Sequence, residues 1–397
     1  MPRRLVIVCN ALDDETRTER GINTDSPAAS RKVFMMAMAV RRAGARVHVV
    51  SFARGRQDGS GRLYRLTTGR RRGVSVVYLP FWNLPVLSEL LSLLAPIPVL
   101  CRLRRFQGET TVVFYNSMAL HVAALLSSAI LGLRTVLDLE DGEPQRSSLS
   151  AGGVARRVVK LLFEALCSGG AMLANTALAH QTRLRPNLCY YGTVQPVRRR
   201  ADWREPRLRV LLGGTVSRDT GAMQLIEAVR LMREDKSGWC AQLQFEITGN
   251  GDCVPAFLAL ASDSQIPAVA VHGRLTDVEY DDLVGRSHVG LALKPCLGKL
   301  ADTTFPSKVI ELANAGLIIV TTDISDVRKI LGVNALYLKS ASPLELIERL
   351  QWIANNTLSA QAISQAGASA VRAVCAPEFA GRELSSFLFD AANDPTS

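Results

Sequence analysis

Aromatic side chains are few, only 6% of the 397 residues. That is too thin a supply of rings for the stacked platforms that hold single-stranded nucleic acid. A formal net charge of +11 nevertheless points to an anionic partner, with nucleotide phosphate and anionic lipid as the classes that remain. Eight cysteines are scattered without a CxxC pair, so neither a zinc ribbon nor a disulfide framework is expected, and reduced thiols fit a cytoplasm. The five histidines, His48, His121, His180, His272 and His288, have no metal-ligand spacing. No metal and no resident cofactor is expected. Also missing is an uninterrupted apolar run of about 20 residues, the length a membrane-spanning helix needs. Arg3 and Arg4 lead straight into the strand-like Leu5–Cys9, which does not read as a signal peptide.

What is present is ordinary globular composition, 48% hydrophobic and 21% charged, at a length that favours two domains. Leu5–Cys9 predicts a buried strand, followed by a polar loop, Asn10–Asp25. Ser26 and Pro27 open a helix that Gly44 closes, and Arg46–Phe52 is the next strand. This order implies a parallel sheet with right-handed crossovers, whose ligands bind beyond the carboxyl ends of the strands. The Asn10–Asp25 loop leaves the first such end, and Asn23 and Asp25 are its acceptor-side candidates.

Further strands are predicted at Val74–Leu79, Thr111–Tyr115, Arg134–Leu139, Ala171–Thr176 and Asn187–Tyr191, with a helix over Ala119–Leu131. The third of these runs into the carboxylates Asp138, Glu140, Asp141 and Glu143. Such a cluster at a strand end can bind metal, act as a base or stabilise positive charge, or simply be a solvated loop. Leu84–Leu100 is largely apolar and is followed by Arg102, Arg104 and Arg105. Its prolines argue against a span. An apolar helix with a basic flank can lie in an anionic membrane surface, or pack on the sheet with a basic tip.

RRRADWREPR, residues 198–207, reads as a linker. It separates an N-terminal domain, 1–197, from a second one, 208–375, with a helix in 376–397 expected to return toward the first. The second domain restarts the β/α rhythm with strands at Leu208–Leu212, Leu243–Thr248, Val269–His272, Val289–Leu293, Leu317–Val320 and Ala335–Leu338. Gly213–Gly214–Thr215 leaves its first strand, with Arg218 in the turn. Glycines there let backbone N–H groups approach a phosphate. The glycine spacing is neither the GxGxxG fingerprint nor a P-loop. Gly249–Asn250–Gly251 is a second tight turn.

The stretch that organises the rest is ADTTFPSKVIELANAGLIIVTTD, Ala301–Asp323. It predicts a loop, a helix from Pro306 closed by Gly316, and a buried strand. Ser307, Lys308 and Glu311 share a face of the helix. A carboxylate can accept both hydroxyls of a ribose, and a lysine with free helix N–H groups can hold a diphosphate. The competing reading is an amphipathic helix with a surface Lys/Glu pair.

Taken in order, GGTVSRDTGAMQLIEAV, FEITGNGD, VHGRLTDVEYDDLVGRSHVGLALKP and FPSKVIELANAGLIIVTTD resemble the C-terminal half of family 4-type glycosyltransferases. The resemblance implies a GT-B fold: α/β, with two facing Rossmann-like doubly wound domains, a cleft between them, and a nucleotide-sugar donor held by the second. It implies that Glu311 binds the donor ribose, that Arg218 or Lys308 neutralises the diphosphate, and that Gly214, Thr215 and Gly249 approach it. It places an acceptor-side catalytic group near Asp138–Asp141. It further implies a hexosyl transfer with retained configuration, to a glycan or lipid-linked acceptor such as a growing polysaccharide, at the cytoplasmic membrane face. Two positions depart from the family pattern. Thr303 stands where the first glutamate of E-x7-E would be, and Thr220 stands where a basic residue precedes the glycine of the first helix. A nucleotide-sugar 2-epimerase and a non-catalytic partner subunit share this architecture and are the alternatives.

Overall fold

The computed structural model describes residues 2–22, 24–55, 60–71, 73–105, 107–140, 142, 151–197, 199–235, 237–294 and 304–390. It divides into two compact units, Met1–Thr193 with Ala376–Ser397, and Val194–Cys375.

Unit 1 carries β1 (Arg3–Cys9), β2 (Arg46–Ser51), β3 (Leu63–Tyr64), β4 (Thr67–Arg71), β5 (Val74–Tyr78), β6 (Phe81–Trp82), β7 (Glu109–Tyr115), β8 (Arg134–Leu139), β9 (Ala171–Leu173) and β10 (Asn187–Cys189). Eight of them form one sheet in the order β10-β9-β8-β7-β1-β2-β5-β4. All neighbours run parallel except β4, which is antiparallel to β5. The centre of such a sheet is covered on both faces, and Leu5 to Val8 of β1 are accordingly wholly buried. Helix Pro27–Arg42 starts as its sequence dictates: the Ser26 hydroxyl accepts from the Ala29 N–H, with Pro27 in the first turn. Its Val33, Met36, Ala37 and Val40 then face the core.

Three features of unit 1 differ from expectation. The Asn10–Asp25 stretch is not all loop; it holds helix Asp14–Glu19, because the Asp13 carboxylate caps the Thr16 N–H at 2.7 Å. Arg70 and Arg71, which lead into β5, lie in a strand not read from the sequence, β4, and Arg71 pairs with Asp13 and Glu15. The apolar segment after Leu84 is two helices, Pro85–Leu94 and Pro96–Arg104, since Pro96 lacks the N–H needed to continue the first. Among the described residues no helix is long and apolar enough to cross a membrane.

The segment after Ala376 belongs to unit 1. Helix Pro377–Ser385 lies on Pro27–Arg42 so closely that a Cβ at Gly381 would come within 2.6 Å of the Ala39 carbonyl oxygen. Leu384 and Leu388 are fully buried in the unit 1 core, and the Thr111 hydroxyl donates to the Leu388 carbonyl at 2.9 Å.

Unit 2 carries β11 (Leu208–Thr215), β12 (Leu243–Asn250), β13 (Ala268–Gly273), β14 (Val289–Ala292), β15 (Ile318–Thr322) and β16 (Leu336–Leu338), all parallel, in the order β13-β12-β11-β14-β15-β16. The basic stretch 199–207 packs on this unit. The Trp203 ring meets His288 edge-on at 5.4 Å, and His288 Nε2 donates to the Asp202 carbonyl while its Nδ1 accepts the Arg209 N–H. The chain enters and leaves unit 2 side by side, with the Val194 N–H bonded to the Cys375 carbonyl at 2.9 Å. Each sheet reverses its strand order once, between β1 and β7 in unit 1 and between β11 and β14 in unit 2. The crevice beyond the strand ends at such a reversal is where α/β sheets hold ligands.

Candidate functional site

In unit 2 the reversal is built from four turns. The turn leaving β11 begins at Gly213–Gly214. Gly214 has φ +104°, and a Cβ there would lie 2.1 Å from Lys308 Nζ. The ammonium therefore rests directly on glycine backbone, in a space that any other residue would fill. Tyr280 flanks it, with its ring centroid 5.8 Å from Lys308 Nζ and its Cε2 3.4 Å from where a Gly213 Cβ would stand. Tyr280 comes from helix Asp277–Gly285, started by a reciprocal cap between Thr276 and Glu279. The turn after β12 packs on the first: a Cβ at Gly249 would overlap the Gly214 carbonyl, and the Val216 N–H donates to Asn250 O at 2.9 Å.

Thr220 has a structural role here. Its hydroxyl accepts from the Ser217 N–H at 3.0 Å and lies 2.6 Å from the Thr215 carbonyl, closing a one-turn 3-10 helix, Arg218–Thr220. Gly221 then turns the chain at φ +77° against the Leu293 carbonyl, and helix Ala222–Asp235 begins. Arg218, exposed on this turn, makes no ion pair among the described residues.

Helix Lys308–Asn314 is shorter than predicted. Pro306 and Ser307 lie in a tighter turn before it, with i→i+3 bonds from the Val309 N–H to Pro306 O and from the Ile310 N–H to Ser307 O. Ser307 is exposed and caps nothing with its side chain, while Glu311 is half-buried one turn beyond Lys308. The helix is anchored from behind. Asn314 donates to Gln195 O at 2.8 Å, and its Oδ1 accepts from Arg372 at 2.9 Å. Gly316, at φ +91°, stops it as expected. Thr303 lies outside the described residues. The Lys308 carbon stem and Tyr280 leave one ammonium against a floor of glycine backbone, an arrangement suited to a phosphate oxygen.

In unit 1 the ends of β7 and β8 carry a second cluster. Asp138 is wholly buried, and among the described residues neither carboxylate oxygen has a hydrogen-bond partner. Lys32 Nζ lies 3.6 Å from Asp138 Oδ1, pairs closely with Glu140, and stands 5.0 Å over the Tyr190 ring. Burial holds the Asp138 carboxyl well above the usual carboxylate range; the nearby Lys32 opposes this and Glu140 reinforces it. Burial also disfavours the Lys32 charge, but Asp138 and Glu140 outweigh it and hold that pKa above its ordinary value. The cluster is thus a buried lysine between two carboxyl groups, paired closely with Glu140 and 3.6 Å from Asp138. Asn116 ties it together: its Oδ1 accepts the Glu140 N–H at 2.9 Å, and its N–H donates to the Asp138 carbonyl. His121 sits next along the chain, stacked on Phe52 at 5.5 Å, with Nδ1 facing Asn116 O at 3.2 Å. Its Nε2 is buried with no hydrogen-bond partner among the described residues, and burial pushes its pKa down to about 4.

Of the other candidates, the Asp25 carboxylate is engaged by Arg17 at 3.2 Å within its own loop. Asn23 and Asp141 lie outside the described residues. Among the described residues no cluster of His, Cys, Asp or Glu could hold a metal ion. Lys32 and Tyr280 were not anticipated. A signal for Lys32 existed, since the second turn of a helix leaving the carboxyl end of β1 must lie near the neighbouring strand ends.

Residues 207–356 match the family model described as "Glycosyl transferases group 1". No curated protein sequence matches the chain. Among solved structures it resembles HepE of Anabaena, determined with UDP and glucose, at 14% identity and TM-score 0.67, covering 96% of this chain and 98% of that one. Sucrose-phosphate synthase of Thermosynechococcus elongatus gives 11% identity and TM-score 0.66, covering 98% and 99%. The trehalose 6-phosphate synthase of Burkholderia multivorans gives 11% identity and TM-score 0.60, covering 99% and 97%. The fold is the two-domain α/β architecture of the GT-B class.

Proposed function

We propose that the chain is a glycosyltransferase, taking a sugar from a nucleoside-diphosphate sugar held by unit 2. The observation that carries this reading is the Lys308 ammonium seated on Gly213–Gly214 at the strand-order reversal, inside the segment that matches the group 1 family. HepE, of the same fold, was crystallised with UDP-glucose. On this reading Lys308 and Arg218 take the diphosphate, the Gly214–Thr215 backbone approaches it, and Glu311 accepts the ribose hydroxyls. Cations on the leaving group matter most, because the bond from the sugar's anomeric carbon to the diphosphate oxygen breaks with its electron pair going to that oxygen. The acceptor hydroxyl bonds to the same carbon, and its proton passes to the departing diphosphate. Transfer of a hexose with retention, as that front-face path gives, is the finer part of the proposal. So are a glycan or lipid-linked acceptor on unit 1 near Asp138 and Glu140, a role in polysaccharide assembly, and a peripheral cytoplasmic position on an anionic membrane. Thr220 does not count against activity, since its hydroxyl organises the phosphate-side turn.

The test is calorimetric titration with uridine, guanosine and adenosine diphosphates. One of them should bind, and Glu311→Ala should weaken it by about 10- to 150-fold, the worth of a charged hydrogen bond. An unchanged dissociation constant would remove Glu311 from the donor site.

A further inference from the structure

The helix Pro85–Leu94 is built inside out. Its serines, Ser88 and Ser92, are buried, and Ser92 accepts from Arg54 at 3.1 Å. Four large apolar side chains face outward instead: Val86 is 71% exposed, Leu90 51%, Leu93 36% and Leu94 62%. A second helix of the same unit, Ala151–Leu166, has a like stripe. Val154, Val158 and Leu161 recur at helical spacing and are 54%, 50% and 52% exposed, while Phe163, on the opposite side, is buried against Phe114. Single exposed leucines are ordinary on a protein surface; stripes on neighbouring helices are not.

The topology brings the two stripes into one layer. The connections from β5 to β7, β7 to β8 and β8 to β9 all step the same way across the sheet, so right-handed crossovers put their helices on one face. Helix Val122–Ile130 packs between the other two and adds Ile130, 84% exposed. The layer is basic as well as apolar. Arg102, Arg104 and Arg105 stand exposed on and after helix Pro96–Arg104, as do Arg156 and Arg157 on Ala151–Leu166. Neither Pro96–Arg104 nor Val122–Ile130 carries an acidic residue.

We infer that this helix layer is a docking face for an anionic lipid bilayer, and that Ala151–Leu166 is as much a part of it as the Leu84–Arg105 segment. The charge selects this occupant. Apolar stripes would enter the interface while the flanking arginines meet anionic headgroups, whereas a second copy of the chain would oppose arginine to arginine. The inference deepens the membrane part of the proposed function, but the face itself is tested without donor or acceptor.

The experiment is co-sedimentation of the full chain with phosphatidylcholine vesicles, with and without phosphatidylglycerol, at low and high salt. The parent should sediment with the anionic vesicles at low salt and be released by salt or by omitting the anionic lipid. Arg156→Glu with Arg157→Glu should reduce partitioning by at least about 25-fold, from about fivefold per basic residue lost. Val158→Ser with Leu161→Ser should reduce it without altering charge, and circular dichroism confirms that each variant is folded. Binding that responds to Arg102, Arg104 and Arg105 but not to either change on Ala151–Leu166 overturns the shared footprint. Absence of binding at low salt, with nucleoside-diphosphate binding intact, overturns the docking face and leaves the donor reading standing. Loss of the nucleotide titration with vesicle binding retained does the reverse. A parent that runs as a dimer dissociated by Val158→Glu would assign the face to self-association and also overturn the inference.

Discussion

Replacing Gly214 by alanine tests the anion site most directly. The added Cβ would fall 2.1 Å from Lys308 Nζ and 2.6 Å from its Cε, so the ammonium must leave its seat. The obstructing atoms are the far end of a flexible side chain, which can move at little cost. The fold itself pays only for an alanine at φ +104°, about 1–2 kcal/mol. Loss of a charged hydrogen bond to phosphate is worth about 1.5–3 kcal/mol, or about 10- to 150-fold in a dissociation constant. Calorimetry should show the nucleoside diphosphate weakened by that factor and the nucleoside unaffected. Lys308→Met should do the same, and the double variant should be no worse than Lys308→Met alone, since residues acting through one contact are not additive. Full additivity in the double variant would show that Gly214 does not act by seating Lys308, and the argument for the site would fail.

Arg218→Ala should weaken diphosphate binding more than nucleoside binding; equal effects on both would place Arg218 away from the phosphates. His121 has its folded pKa near 4 against an unfolded value of 6.5. Its contribution to stability is therefore complete above pH 6.5 and is lost as pH falls toward 4, with about 2 kcal/mol gone by about pH 5. His121→Phe keeps the stacking, and urea titrations at pH 7 and pH 5 should show its acid destabilisation smaller by about that amount; parallel curves would refute the burial argument. Lys32→Met leaves the buried Asp138–Glu140 pair without its cation and should cost about 3–5 kcal/mol. A loss under about 1 kcal/mol by chemical denaturation would show the cluster to be solvated.

The parallel strands of both sheets were legible because each is a short, largely apolar run bounded by turn residues, as Leu5–Cys9 and Ile318–Thr322 are, whereas the exposed, polar β4 was not. Gly44 and Gly316 marked helix ends because a left-handed residue must follow. The reading failed where a local bond decided. Nothing in hydrophobic period announces a helix at Asp14–Glu19; an aspartate cap does. Nor did it show that Thr220, taken as a missing cation, knits a turn. Tyr280 was illegible for a different reason: it reaches its site from a separate helix, and only the order of strands makes it a neighbour of Lys308. Lys32 had a topological signal, its place on the helix that follows β1, but no local pattern ties it to Glu140.

The split composition of unit 1 bears on how the protein is made. A ribosome releases Arg3–Thr193 first, but the surface of Pro27–Arg42 that receives Gly381 and Leu384 must wait for about 180 residues of unit 2. At 5–20 residues per second that wait is about 10–40 s, long compared with the collapse of a domain. Unit 2, whose entry and exit are joined through Val194 and Cys375, can close in the meantime as an independent body. The nascent first unit, with an uncovered apolar groove and a finished neighbour downstream, is the species on which chaperones and proteases would act.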